Sequence, residues 1–257
     1  MLTDMNSNIT FLSHPHSDIH LFSCDSNYFS KWGKHTLLTS IKSGFDVHFH
    51  IINPSQEDFL FYENIKNNNL GVTMSYEKIN LDQWHSLKQR SYLFCSRYFI
   101  ARNILKDDNV ESILVTDADL IFKKKFFLED VDLGILYKPT QPTLWSRGGG
   151  NLFFIRKNMK NFLDDFYEEF LSRFQQNLDY DKLEKESKLV RAEKIGLDQV
   201  CLAYLIENKD YHFINLNDYN LKSKDFNDDT PIWSLTGGGK KNPNFDKILE
   251  THFYTAK

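Results

Sequence analysis

A basic excess, a membrane-length apolar run and an even set of cysteines are all missing from this sequence, and each absence removes a class of function. Lys and Arg number 31 against 35 Asp and Glu, a formal charge of −4 with pI near 6.1. That balance gives no basic footprint for a phosphate backbone, so nucleic acid is not an expected partner. No apolar run reaches the roughly 18 residues a membrane span requires, and residues 1–17 lack the basic end and apolar core of a secretory signal. The three cysteines, Cys24, Cys95 and Cys201, are far apart in apolar or helical patterns, which reads as reduced, buried thiols. A cytoplasmic protein is the expectation, with peripheral attachment to a membrane left open. Internal repeats and Pro- or Ser-rich linkers are absent too. With 257 residues, 41% of them hydrophobic, the chain can bury one substantial core. The expected organisation is a loosely ordered polar leader over residues 1–17 and a single domain over residues 18–257.

What is present alternates between two periodicities. Residues 18–25 read as a strand, 27–42 as a helix ended by Gly44, and 46–53 as a second strand stopped by Pro54. Strand, helix, strand with short connections implies a parallel pair. A weaker helix over 59–67 precedes a strand near 72–79, and 87–105 recurs helically while carrying Arg90, Arg97 and Arg102. Strands follow at 133–137 and 152–155, separated by Pro139, Pro142 and the run Gly148-Gly149-Gly150. Residues 161–174 form an amphipathic helix whose Phe162, Phe166 and Phe170 stripe reads as core. The charged stretch 179–194 reads as a solvated helix or loop, then come a helix over 197–208 and a short strand near 212–216. The sum is an α/β fold with a mixed, mostly parallel central sheet flanked by helices.

Residues 111–122 are the stretch the rest is organised around. They read as a buried strand ending in Asp117 and Asp119, whose carboxylates, one residue apart on an extended chain, point the same way and can converge on one cation. Open α/β sheets put their ligand sites at such carboxyl edges. Two close carboxylates raise each other's pKa unless a cation offsets the repulsion. Oxygen ligands suit Mg2+ or Mn2+ and leave positions for substrate phosphates. The simpler alternative is that the two carboxylates cap a turn or helix.

Two enzyme types use such a pair. In a haloacid-dehalogenase-like phosphohydrolase the first Asp is the nucleophile and sits on the first strand, whereas Asp117 comes late, behind several alternating elements. In a nucleotide-sugar transferase the pair holds a metal on a diphosphate.

The order of the motifs resembles the GT-A-fold glycosyltransferases, and most closely the family 8 retaining enzymes. Asp25-Ser26-Asn27-Tyr28 resembles that family's Asp-x-Asn-Tyr, which holds the nucleotide base and ribose. Phe49-His50-Ile51-Ile52 is similar to its second strand, and Ser96-Arg97-Tyr98-Phe99 to the helix whose Arg reaches the donor. Asp117-Ala118-Asp119 is then the Asp-x-Asp (DxD) metal motif, Asp198-Gln199 the pair beside the donor sugar, and Gly237 with Lys240 the Gly-x-x-Lys that grips the diphosphate. The resemblance implies a hexosyltransferase that moves a sugar from a nucleotide-sugar donor, a UDP-sugar, to the hydroxyl of a glycan or other acceptor, with Mn2+ or Mg2+ and with retention.

Two departures stand out. Ser234 occupies the place of the family's third metal ligand, a His, so His252 or water would have to complete the shell. The family's sugar-orienting Asn-Ala-Gly is here Gly148-Gly149-Gly150 followed by Asn151. They motivate a further alternative, a protein of this type that binds nucleotide without turnover.

Taken singly, the same residues have plainer readings. Tyr28 fits a core, Arg97 a helix surface, Asp198 a helix N-cap after Gly196, and Gly237 to Lys240 either an anion nest or a turn before a charged tail.

Overall fold

A computed structural model describes residues 9–227, 229–235 and 244–251. The expected sites Gly237, Lys240 and His252 lie outside those residues. Within the stretch assigned to a loose leader, β1 (Ile9–Phe11) forms an edge strand antiparallel to β4 (Val72–Glu77). Between them in the chain come β2 (Ser17–Asp25) and β3 (Asp46–Ile52), and β5 (Val110–Thr116) follows β4. β4, β3, β2 and β5 lie side by side and parallel. Both faces of these strands are covered, which is why residues such as Leu21, Phe22, Phe49, Ile51 and Val115 form near-continuous apolar runs.

The strand order reverses between β2 and β5, the two neighbours that the chain visits farthest apart. A crevice opens beyond the carboxyl ends of strands at such a switch point, and here it is flanked by Asp25 and Asp117.

One expectation is corrected at this point. Residues 111–122 are not one strand: β5 stops at Thr116, Asp117 to Asp119 form a turn, and β6 (Leu120–Phe122) belongs to another sheet. All three residues of β6 are buried and need partners, and a straight continuation of β5 would carry Ile121 and Phe122 past Gly148, the end of β8 (Gly148–Arg156). They pair with a late strand, Ile232–Ser234, and against the helix that follows β2, where the Phe122 amide donates to Thr39 Oγ1.

β7 (Leu133–Tyr137) and β8 then extend the main sheet antiparallel, and β9 (Ile214–Asn215) closes it beside β7. The three-glycine run is the first part of β8 and not a separator between strands, because a Cβ at Gly148 would lie 2.2 Å from the Gln199 carbonyl oxygen. β10 (Lys222–Ser223) and β11 (Ile232–Ser234) complete a small sheet in the order β10, β11, β6.

Helical segments fill the connections. α1 (Ser26–Tyr28), a π turn at Phe29–Gly33 and α2 (Lys34–Lys42) make one nearly continuous run after β2. α3 (Gln56–Lys66) starts at a Ser55/Asp58 capping box, and α4 (Ser86–Ile104) precedes β5. Beyond these lie α5 (Leu144–Arg147), α6 (Lys160–Phe174), α7 (Tyr180–Glu184), α8 (Lys188–Ile195), α9 (Leu197–Asn208) and α10 (Phe245–Leu249). The Phe162, Phe166 and Phe170 stripe of α6 is fully buried against Tyr98, Phe99 and Phe153. Cys24, Cys95 and Cys201 are free and buried. Among the described residues no helix is long and apolar enough to cross a membrane.

Candidate active site

The crevice is assembled around Arg97. Its place on α4, beside the Tyr98, Phe99 and Ile100 face that must be buried, pulls the guanidinium inside. There Nη1 pairs with Asp117 Oδ1 at 2.8 Å, and Nη2 pairs with Asp198 Oδ2 at 2.9 Å and donates to the Gly150 carbonyl at 2.8 Å. The Tyr98 hydroxyl donates to the same carbonyl at 3.0 Å. One side chain thus ties the end of β5, the start of β8 and the first turn of α9 together. Burial opposes the charge of Arg97, but Asp117, with help from Asp198, more than offsets this and leaves its pKa raised.

Asp198 is buried in the first turn of α9. Desolvation pushes its pKa up to about 6, against the pull of Arg97 and of the amides at the helix start, with Asp117 adding repulsion. Space around it is tight: a Cβ at Gly150 would sit 2.2 Å from Asp198 Oδ2. Gln199, next along, is tied to backbone. In the amide orientation that satisfies both of its polar atoms, its nitrogen donates to the Gly148 carbonyl at 3.0 Å and the Trp145 carbonyl at 2.8 Å.

Asp119 is buried on the other side of the turn and accepts from the Tyr28 hydroxyl at 2.8 Å. Desolvation and the adjacent Asp119 carboxylate raise the Tyr28 pKa far above that of a free phenol, so this hydroxyl stays a donor. Tyr28 is placed by Asp25, whose Oδ1 caps α1 by accepting from the Tyr28 amide at 2.8 Å. Asn27, on the same short helix, is exposed. Ser234 in β11 lies opposite Leu120, and the next amide, of Leu235, donates to the Asp119 carbonyl at 3.3 Å. The position that departs from a His is therefore beside the acidic turn.

Two cavities lie near that turn, one reaching it through Tyr28 and the other lined by Asp117. One, about 630 Å³, is lined by Asp25, Asn27 and Tyr28 together with Asn53, Asn80 and Gln89. The other, about 470 Å³, is lined by Asp117, Gly150, Asn151, Asp198, Gln199 and Lys222, among others. Both volumes lie in the range of small-molecule sites.

Asp117 and Asp198 share the guanidinium of Arg97, Asp117 also draws on the ammonium of Lys222, and Asp119 accepts from the Tyr28 hydroxyl. An excess of negative charge in a largely buried cluster favours a cation. Among the described residues, no group of three His, Cys, Asp or Glu side chains is arranged to hold a metal. Asp117 and Asp119 are oxygen donors of the kind a hard divalent ion takes, and no third such side chain among the described residues is arranged beside them.

The structure brings together Asp25, Tyr28, Arg97, Asp117, Asp119, Asp198 and Gln199. Lys222 was not legible as a site residue. It lies on a two-residue strand with no periodicity around it, and only the pairing of β10 with β11 carries it to the cavity.

No protein-family model matches the chain, and no curated protein matches it. Solved structures do. The apo structure of the bifunctional glycosyltransferase WbbM is 10% identical with a TM-score of 0.51, covering 91% of this chain and 51% of that one. The apo glycosyltransferase GlyE of Streptococcus pneumoniae TIGR4 is 13% identical with a TM-score of 0.45, covering 77% of this chain and 44% of that one. The galactosyltransferase LgtC in complex with donor and acceptor sugar analogs is 12% identical with a TM-score of 0.43, covering 63% of this chain and 66% of that one. The chain spans about half the length of WbbM, somewhat less of GlyE and just under two thirds of LgtC. The mainly parallel sheet, flanked by helices and shared with WbbM, is the GT-A glycosyltransferase fold.

Proposed function

We propose that the chain is a metal-dependent hexosyltransferase similar to the family 8 retaining enzymes, moving a sugar from a UDP-sugar to an acceptor hydroxyl. The observation that carries this reading is the pair of cavities near the Asp117 to Asp119 turn, one bordered by Asp25 and by Tyr28, which bonds Asp119, the other by Asp117, Asp198 and Gln199.

Asp25, Asn27 and Tyr28 hold the nucleoside in the first cavity. Asp117 and Asp119 would hold Mn2+ or Mg2+, and such an ion would supply Lewis-acid neutralisation of the leaving diphosphate. The resemblance assigns Gly237 and Lys240, which lie outside the described residues, to the same diphosphate. The sugar lies in the second cavity. Asp198, fixed by Arg97 and ionised above pH 6, offers negative charge where positive charge develops at the anomeric carbon. The Gln199 amide, held by two backbone carbonyls, keeps a fixed wall on the face where the acceptor enters. No covalent intermediate is required.

The test is a panel of UDP-sugars incubated with Mn2+ and a mixture of hydroxyl acceptors, read by UDP release and by NMR of the first product. The parent protein releases UDP and gives a product with the anomeric configuration of the donor, and Asp198→Asn lowers the rate by roughly a hundredfold or more, as loss of transition-state electrostatics does. An inverted product would remove the family 8 comparison. UDP binding without release across the panel would make the chain a binding protein.

A further inference from the structure

We propose that the cavity beside Asp198 receives a sugar that carries an anionic group, a carboxylate or a phosphate, and that Lys222 and Lys138 hold that group. This rests on the glycosyltransferase reading for what occupies the cavity, but the argument itself comes from two amines.

Lys222 reaches into the cavity from β10, half-buried, and its ammonium is held by a neutral acceptor, donating to Asn151 Oδ1 at 2.5 Å. Lysine is rarely buried without a negative partner, since desolvating an ammonium is costly and a neutral amide repays only part of it. The carboxylate closest to serving is that of Asp117, which already pairs with Arg97. Burial accordingly moves the Lys222 pKa down to about 8, with Lys138 and Lys224 adding repulsion against the pull of Asp117.

Lys138 lines the same cavity just after β7, where its backbone closes against Arg147 and Gln141. Arg147, the other cation on the wall, is bound through Nη1 to both oxygens of Glu207 at 2.9 and 2.8 Å and is already compensated. The two amines repel each other across the cavity, against the pull of Asp117. A bound carboxylate or phosphate removes both that repulsion and the desolvation deficit of Lys222. A neutral hexose does neither.

The anionic group can belong to the transferred sugar or to the acceptor, and binding measurements on the full chain separate the two. UDP, UDP-glucose and UDP-glucuronate are titrated into the protein with Mn2+; glucose, glucuronate and glucose 6-phosphate are titrated into protein saturated with UDP. The proposal predicts that an anionic compound binds at least roughly tenfold tighter than its neutral counterpart in one of the two arms, the scale of a charge-assisted hydrogen bond. Preference for UDP-glucuronate assigns the group to the donor, and preference for glucuronate or glucose 6-phosphate assigns it to the acceptor. Lys222→Gln and the more exposed Lys138→Gln each reduce that preference, while Lys224→Gln, an exposed neighbour outside the cavity, leaves it intact.

Equal affinity for charged and neutral compounds in both arms overturns the proposal. So does loss of affinity for UDP alone in Lys222→Gln, which would place this ammonium on the diphosphate. If UDP does not bind at all, the glycosyltransferase reading fails separately. The anionic sugars are then titrated into the protein without nucleotide, and a preference that depends on Lys222 sustains the cavity assignment.

Discussion

Replacing Arg97 with Met keeps the length of the side chain and removes the one positive charge that Asp117 and Asp198 share. The guanidinium is fully enclosed; its partners differ, the Asp198 side chain being 5% exposed and that of Asp117 29%. Deleting one partner of a buried ion pair costs about 3–5 kcal/mol because the other charge is stranded, and here the stranded charge is chiefly that of Asp198. For a chain of this size that corresponds to a fall in melting temperature of roughly 6–20 °C. Protonation relieves it. Asp198 already has a pKa of about 6 with Arg97 present, and without the arginine desolvation and Asp117 raise it further. The loss measured by urea unfolding is therefore larger at pH 8 than at pH 5, by about 1–2 kcal/mol for each unit or so of added shift. A second substitution, Asp198→Asn in the Arg97→Met background, recovers part of the loss at pH 8. A cost under about 1 kcal/mol, the level of an exposed pair, or one identical at both pH values, would refute the claim that Arg97 neutralises a buried carboxylate.

Other consequences can be measured on the same protein. Gly150→Ala places a Cβ 2.2 Å from Asp198 Oδ2 and 3.1 Å from Arg97 Nη2; it is expected to lower stability by about 1–3 kcal/mol and to abolish transfer, and an unaltered melting curve would contradict the packing described. Tyr28→Phe removes the hydroxyl that donates to Asp119, and about fivefold weaker metal-dependent UDP binding is expected for one lost hydrogen bond, with unchanged affinity counting against a role for that contact. His20 is buried, with Nε2 bonded to Thr116 Oγ1 at 2.7 Å, and desolvation lowers its pKa to about 3. A folded pKa below the unfolded value means the unfolded chain binds the proton first, so this contribution is complete above pH 6.5 and drains away as pH falls toward 3. By pH 5 the loss amounts to about 2 kcal/mol. Asp198 has the opposite sign, so the His20 effect is read as the difference between the parent and His20→Phe. An equal pH dependence in the two would exclude it.

Much of the main sheet could be read from residue order because β2, β3 and β5 are rich in buried apolar residues and their connections are punctuated by Gly44 and Pro54, whereas the Ser55 cap that starts α3 earlier than expected was missed. The DxD turn was harder. Its flanks, Ile113 to Thr116 and Leu120 to Phe122, are equally apolar, so periodicity saw one strand where the chain changes sheets; the distinction lies in partners contributed by β8 and by β11, far away in sequence. Gly148 to Gly150 resembled a linker for a similar reason, since what forbids side chains there is the backbone of Gln199 and the carboxylate of Asp198. Tyr28 shows how a locally ambiguous residue becomes specific: a cap from Asp25 orients it, and tertiary packing sets its hydroxyl on Asp119. Lys222 had no local signal at all.

Calorimetric titration of UDP into the full chain, with Mn2+ and again with EDTA, tests the central claim most directly when repeated on Asp119→Asn, which keeps an acceptor for Tyr28 but removes the charge. The account predicts metal-dependent binding in the parent and a loss of at least roughly tenfold in the variant, the scale on which removing groups that hold a metal acts. Equal affinity with and without metal, or no loss in Asp119→Asn, would contradict it.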